Sequence, residues 1–484
     1  MQSAMWRVVP VAALCAVVVF AIAQQTPPAE APPATGKRVK YQPLEGNLRA
    51  QTSGVAAFGA KGDGIADDTN AIRSAVNAKG GAIVFPPGTY RITRPIVVEL
   101  DKTGVTSFSG STASRIVMAG PGPAIRFVGT HGGTAAPESA KPEVWERQRM
   151  PVVEGLAIEG DHPEADGIEA AGTMQLTVRG VHIRRVRHGI HLVERNRNVL
   201  IDACHIYENS GCGVYLDRVN LHQTNISASH ISYCYGGGVV VRGGEVRNVH
   251  ISGCDIEANM GAEGPATANV LFDSTDGSMA EAAIVGCTIQ HTGKALDSAN
   301  IRILGRGFAM RDGMKKPFNC GHVTIGDNVL SDVQTNIHLD GVRGATILGN
   351  TFWQGFEHNL LIENSSQIVI GANMMERNPL YGYTSEAKNN VILRGCHDST
   401  LSGLHLHNVI ESEAGMTIEK CDRMHITGCT ILDCDNIGLL LRDTTNSRIA
   451  NCFIRDNREN AQPSQPIKIT GGKGNSIDPA LTAP

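Results

Sequence analysis

A four-residue motif recurs along most of the chain: Gly or Asn, an apolar residue, any residue, and a second apolar residue. It stands at Gly189-Ile190-His191-Leu192, Gly213-Val214-Tyr215-Leu216, Asn336-Ile337-His338-Leu339 and Gly438-Leu439-Leu440-Leu441. A turn follows each copy, and then an apolar strand whose end carries Cys or Asn, one residue and Ile. A unit this short, made of strands and turns alone, buries its apolar side chains only by stacking on copies of itself.

One point of the repeat is marked by Ile158, Ile183, Ile206, Ile231, Ile256, Ile289, Val329, Phe352, Met375, Leu406, Ile431 and Ile454. Most gaps are about 23–25 residues, the period range of β-solenoids, and the longer gaps hold loops. Leucine-rich repeats share the period but need a Leu-x-x-Leu-x-Leu frame and a helix, and neither is present. Side chains alternate in and out along each short strand. The expected fold is all-β: a single right-handed parallel β-helix of about 10–12 coils. Two residues before an anchor stand Cys204, Cys254, Cys287, Cys429 and Cys452, with Asp327, Asn350 and Asn373 in the same place elsewhere. Stacking puts these side chains in ladders about 4.8 Å apart. Cys there serves as a small buried hydrophobe and Asn as a stacking amide. Cys254 with Cys287, and Cys429 with Cys452, are the pairs whose spacing admits a disulfide. No His stands at zinc-ligand spacing from these thiols.

Arg7, the apolar run Val8 to Ile22 and the small-x-small pattern Ala21-Ile22-Ala23 form a secretory signal, so residues 1–23 are read as a signal peptide. The run is too short to anchor the chain comfortably in a membrane, and no stable membrane insertion is expected after cleavage. Residues 24–48 are rich in Pro and Ala and read as a linker, 49–470 as the β-helix and 471–484 as a flexible tail. The formal net charge is −4, and loss of Arg7 makes the mature chain more acidic by one. No basic stripe marks a nucleic-acid surface. Twelve Cys less Cys15 leave an odd number, so complete disulfide pairing is excluded. The expected location is secreted, periplasmic or at the cell surface, with monomer and trimer both open.

The segment 49–95 reads as an N-terminal cap. Asp67 or Asp68 caps a helix whose apolar face is Ile72, Ala75 and Val76. Gly80-Gly81 ends it, and two short strands around Pro86-Pro87-Gly88 follow. Such a cap covers the open edge of the first coil. The run FGAKGDGIADDTNAI followed by IVFPPGTYRI resembles the opening of the pectate-lyase-3 superfamily, which holds rhamnogalacturonase- and epimerase-like pectate lyase domains. The resemblance implies a pectin-lyase-like β-helix and a polysaccharide substrate. It also implies that Asp63, Asp67 and Asp68 belong to the cap rather than to the chemistry.

A polygalacturonase sets carboxylates on successive coils and a His on the third. Here Asp166 matches the first place, but Arg187-His188-Gly189 and Gly211-Cys212-Gly213 fill the others. Inverting hydrolysis needs two carboxyl groups flanking the bond, so this assignment fails. The outward face of the Gly-x-x-apolar strand offers two columns instead. The first runs Glu169, His191, Tyr215, Val240, Leu271, Arg302, His338, Leu361, Ile392, Thr417, Leu440, and the second Ala171, Val193, Asp217, Arg242, Asp273, Leu304, Asp340, Glu363, Arg394, Glu419, Arg442.

Two readings of the charged column compete: a cross-strand ion-pair ladder, or a site for an acidic sugar. In the second, Asp217, Arg242, Asp273, Tyr215 and His191 are the candidate catalytic group. Arg242 would hold a uronate carboxylate, Asp217 and Asp273 would bind Ca²⁺, and His191, Tyr215 or Arg242 would take the C5 proton. His338, Asp340, Glu363, Arg394 and Trp145 are candidate substrate contacts. Asp340 and Glu363 also suit the carboxyl spacing of a retaining glycosidase. Asp161, Glu164, Asp166 and Glu169 form a second candidate Ca²⁺ set. The loops Gly129 to Met150, Gly305 to Cys320 and Asn378 to Asn389, the last with Tyr381 and Tyr383, are candidate cleft walls. Outward Val240, Leu271, Leu361 and Ile392 require a cover. The expected function is an exported polysaccharide lyase or epimerase, or less favourably a glycoside hydrolase; the alternative is a non-catalytic glycan-binding or surface protein.

Overall fold

The computed structural model describes residues 53–482 except 79, 134–135, 262–266, 382–385 and 459–464. The expected signal peptide and linker lie outside the described residues, as do the side chains of Tyr381 and Tyr383.

Apart from one antiparallel hairpin, each strand pairs in parallel with its counterpart one coil away, and the chain winds a right-handed parallel β-helix. One inward column shows why. Ile96, Ile125, Ile168, Ile190, Val214, Val239, Val270, Ile301, Ile337, Leu360, Val391, Met416, Leu439 and Ile467 follow one another in unbroken register. All fourteen are buried. The rungs exceed the number expected because the first two precede the regular repeat and the last lies beyond the Ile454 anchor. Continuous Ile, Val and Leu columns suit strands whose inner faces meet only other apolar side chains.

The motif's first position explains itself in this stack. A Cβ at Gly189 would lie 2.5 Å from the Gly213 carbonyl oxygen, so the corner backbones pass too closely for a side chain. In the middle coils the place is taken by Asn, whose amides form a ladder: Asn269 donates to Asn300 at 2.8 Å, Asn300 to Asn336 at 2.7 Å and Asn336 to Asn359 at 2.8 Å. A second ladder carries Cys and Asn at the opposite corner. Here the sequence register slips by one: Ile289 pairs with Leu330 and Leu330 with Phe352, while Val329 is 41% exposed. The inward anchor is therefore Leu330 and the ladder residue Asn328; Asp327 holds the left-handed turn place that Gly286 and Gly349 hold in the adjacent coils. The eleven described cysteines are free thiols.

At the N-terminus the helix Thr69–Asn77 buries Ile72, Ala75 and Val76 over the first coil. Asp67 accepts the Thr69 amide at 3.0 Å, and Asp68 accepts the amides of Lys61 at 2.7 Å and Gly62 at 3.0 Å. Asp63 accepts those of Ile65 and Ala66. All three acids thus hold the cap. At the other end, residues 471–482 are not a loose tail: Ile477 pairs with Ile449, and Leu481 on the turn Pro479–Thr482 is buried. The loop from Gly305 to Cys320 is an antiparallel hairpin of Arg306–Arg311 and Met314–Asn319, with Arg247 over Phe318 and Lys315 over Phe308.

Candidate functional site

Both outward columns form as the alternation predicts. Glu169, His191, Tyr215, Val240, Leu271, Arg302, His338 and Leu361 are register neighbours in turn, and so are Val193, Asp217, Arg242, Asp273, Leu304, Asp340, Glu363, Arg394, Glu419 and Arg442. The two columns lie two residues apart on the same strands, so they face the same side of one sheet.

His191, Tyr215 and Asp217 converge. The rings of His191 and Tyr215 stack in parallel with centroids 5.2 Å apart. Tyr215 donates its hydroxyl to Asp217 at 3.1 Å, and His191 Nε2 stands 3.4 Å from the other Asp217 oxygen. On the far side of His191, Glu169 lies 3.7 Å from Nδ1 and is held by Arg126 at 2.8 Å. Burial and the Asp217 charge push the Tyr215 phenol up to about 12, so it stays protonated and serves as a donor.

His188 completes the cluster, and the columns did not single it out because it precedes the strand. Its ring lies 5.1 Å from Tyr215 and 5.2 Å from His191. Its Nδ1 accepts the Cys212 amide at 3.1 Å, and burial pushes it down to about 4. The spacing His188-Gly-Ile-His191 was the available signal, since a turn before the strand can fold the first ring back over the fourth residue. Asp166 supports this turn from below. It is buried, forms two hydrogen bonds with Arg187 at 3.0 and 2.6 Å, and accepts the His188 amide at 3.0 Å. A carboxylate so engaged is structural, which removes Asp166 from the second candidate Ca²⁺ set, and Arg126 removes Glu169.

Arg242 and Asp273 take the next two rungs. Arg242 approaches Asp273 only to 3.9 Å and is 46% exposed. Asp217 and Asp273 flank Arg242 from opposite sides, so they stand about 9–10 Å apart by strand spacing. A single Ca²⁺ with ligands at about 2.3–2.6 Å cannot join them, and the expected metal pair is corrected on that ground. Val240 and Leu271 are covered, in a cluster with Cys212, Tyr215, Ala268 and Ala299. That apolar wall closes one side of the His191 cluster.

The lower charged group is a different object. Arg394 bridges Glu363 and Glu419, both at 2.9 Å. Asp340 is held by Arg306 of the hairpin at 3.0 Å and by Asn364 at 2.8 Å. His338 lies 3.4 Å from Glu363 and accepts from Arg302 at 3.1 Å; burial, then Arg302, pushes its pKa down. Every carboxylate here has a cation in place, as an ion-pair ladder requires. Trp145 packs elsewhere, against Ala140, Val144 and Met174. On another face, a groove of about 570 Å³ is lined by Leu200, Asn225, Ser227 and His250 among others.

Residues 144–289 match the family model of the right-handed β-helix region, and residues 53–126 that of rhamnogalacturonase A/epimerase, pectate lyase-like. The chain belongs to the pectin-lyase-like right-handed β-helix superfamily. Residues 307–470 of this β-helix protein also match the model of the periplasmic copper-binding protein NosD. No curated protein matches this superfamily member. Among solved structures it is similar to the A-module of a mannuronan C-5 epimerase of Azotobacter vinelandii, at 14% identity over 88% of this chain and 99% of that one, with a TM-score of 0.39. It is also similar to PfbA, a surface adhesin of Streptococcus pneumoniae, at 13% identity over 85% and 93% of the chains and a TM-score of 0.39. A GH87 α-1,3-glucanase catalytic unit from Streptomyces thermodiastaticus shares 12% identity over 89% and 69%, with a TM-score of 0.35.

Proposed function

We propose that this protein is an exported enzyme that removes the C5 proton of a uronate residue in an acidic polysaccharide, with β-elimination as the outcome. The observation that carries the reading is the cluster of His188, His191, Tyr215 and Asp217 on one outward face, with Arg242 on the next rung. Arg242 is loosely paired and turns its guanidinium to the substrate carboxylate. Neutralising that carboxylate stabilises the charge that develops at C5. His191 accepts the C5 proton, and the carboxylates of Glu169 and Asp217 on either side stabilise the imidazolium. Tyr215, kept protonated, gives its proton to the leaving O4 oxygen. The C5–H bond breaks, its electrons form the C4–C5 double bond, and the C4–O4 bond breaks with them. Acceptor and donor stand side by side on one face, an arrangement that suits elimination. Epimerisation needs reprotonation from the opposite face.

Export is supported by the Arg7 to Ala23 pattern and by the periplasmic description of the family matching residues 307–470. A second reading, glycan binding without catalysis, draws on the groove around Leu200 and His250, where Gln175, Asn198, Gln223, Asn225 and Asn248 line the wall.

The test incubates the protein with polyuronates in deuterium oxide and follows unsaturated-product absorbance together with deuterium at C5. Absorbance is expected in the wild type. Tyr215→Phe and His191→Gln should each cut turnover by about 10²–10⁴-fold. Deuterium incorporation without absorbance would convert the assignment to epimerisation. Activity that survives both substitutions sinks the site, and glycan binding without turnover supports the second reading.

A further inference from the structure

On the strand stack marked by Ile206, Ile231 and Ile256, a different stack from that of His191, three side chains aim ligand atoms at one point. His230 Nε2 lies 3.8 Å from Asp255 Oδ2 and 3.6 Å from Glu257 Oε1, and the three atoms all fall within 4.8 Å of one another. His230 Nε2 is buried and makes no hydrogen bond. Elsewhere along the helix paired acids meet guanidinium groups: Glu159 meets Arg115 and Arg184, and Glu363 and Glu419 meet Arg394. Among the described residues, the ion-pair partner of both Asp255 and Glu257 is the imidazole of His230 alone. Glu257 is also oriented. Gln290 donates to its Oε2 at 3.1 Å, which leaves Oε1 toward His230. His205, one coil earlier, sets its ring edge-on to His230 with centroids 6.0 Å apart.

We propose that His230, Asp255 and Glu257 bind a divalent transition-metal cation of the zinc class, which staples two successive coils. Ligand atoms about 2.1 Å from a tetrahedral metal stand about 3.4 Å from each other, and the two His230 separations are within a few tenths of that. One imidazole and two carboxylates suit zinc-like ions, and the fourth place is left to water. Ca²⁺ takes six to eight oxygens, more than this corner supplies. Gln290 is the outer partner that orients a ligating carboxylate, a role whose loss costs affinity.

The site is tested on the chelator-stripped full-length chain by equilibrium dialysis against Zn²⁺, with metal content read by mass spectrometry. Cys452 is the half-buried thiol, so Cys452→Ser is the control. One Zn²⁺ per chain is expected, with Cys452→Ser unchanged and affinity at least about tenfold weaker in His230→Gln/Glu257→Gln. Equal binding by that double variant, or none by the wild type at millimolar free Zn²⁺, overturns the site. If the double variant does not fold, the visible spectrum of the Co²⁺-loaded wild type decides. A tetrahedral spectrum without thiolate charge transfer supports the site, and a thiolate band refutes it.

Discussion

His188 shows how one side chain ties local chemistry to stability. Its Nδ1 must stay unprotonated to accept the Cys212 amide, and burial lowers its pKa from 6.5 to about 4. The unfolded chain protonates this ring below about pH 6.5 and the folded chain resists until about 4. The unfolded state therefore binds more protons across that window, and stability falls as pH drops through it. Urea midpoints measured at pH 7 and pH 5 should fall in the wild type and fall less in His188→Gln. An equal pH response in both proteins would contradict this. The same residue marks what the sequence held back. His191, Tyr215 and Asp217 were legible because strand alternation fixes their side, whereas His188 enters the cluster through a turn that alternation does not describe. Asp273 was placed on the correct rung with Arg242 between it and Asp217, but two strand spacings hold the two carboxylates too far apart for the single cation expected there.

At the scale of elements, the corner ladder is where sequence pattern became backbone satisfaction. Asn350 accepts the Asn328 amide at 3.0 Å and donates to the carbonyl of Ile325 at 3.1 Å, and Asn373 accepts the Asn350 amide at 3.0 Å. In other coils a thiol does this work: the Cys254 amide reaches Cys287 Sγ at 3.4 Å. The interchange of Cys and Asn at this point of the repeat is thus one role filled two ways. Asn350→Ala leaves buried donors and acceptors without partners and should cost about 1–3 kcal/mol. Asn350→Cys should recover part of that. Equal urea midpoints for the two variants would show that no ladder bond is at stake. The single misplaced anchor, Val329 for Leu330, arose at this corner too. Asp327 keeps the left-handed turn place held by Gly286 and Gly349 in the adjacent coils, and the apolar pair Val329-Leu330 gave no pattern by which to choose between its members.

For the molecule as a whole, stacking makes stability a chain of neighbouring terms, so damage at one end stays near that end. The C-terminal segment is the informative case, because composition alone marked it as a loose tail. Gly471 through Gly474 break the pattern, yet Ile477 continues the column of Ile449, and Leu481 buries itself over the last coil. Without these residues, Ile449 and Ile454, which share a core cluster with Ile477 and Leu481, would present apolar area to water, and Arg448–Ala450 would lose its parallel partner. Ending the chain at Thr470 should therefore speed amide hydrogen exchange in Arg448–Ala450 and Phe453–Arg455. Exchange in Ile190–Asp202, many coils away, should be unchanged, and so should turnover at the His191 cluster. Unaltered exchange in the last strands would return the segment to a tail. Faster exchange along the whole stack would mean that the coils melt as one cooperative body rather than as neighbours.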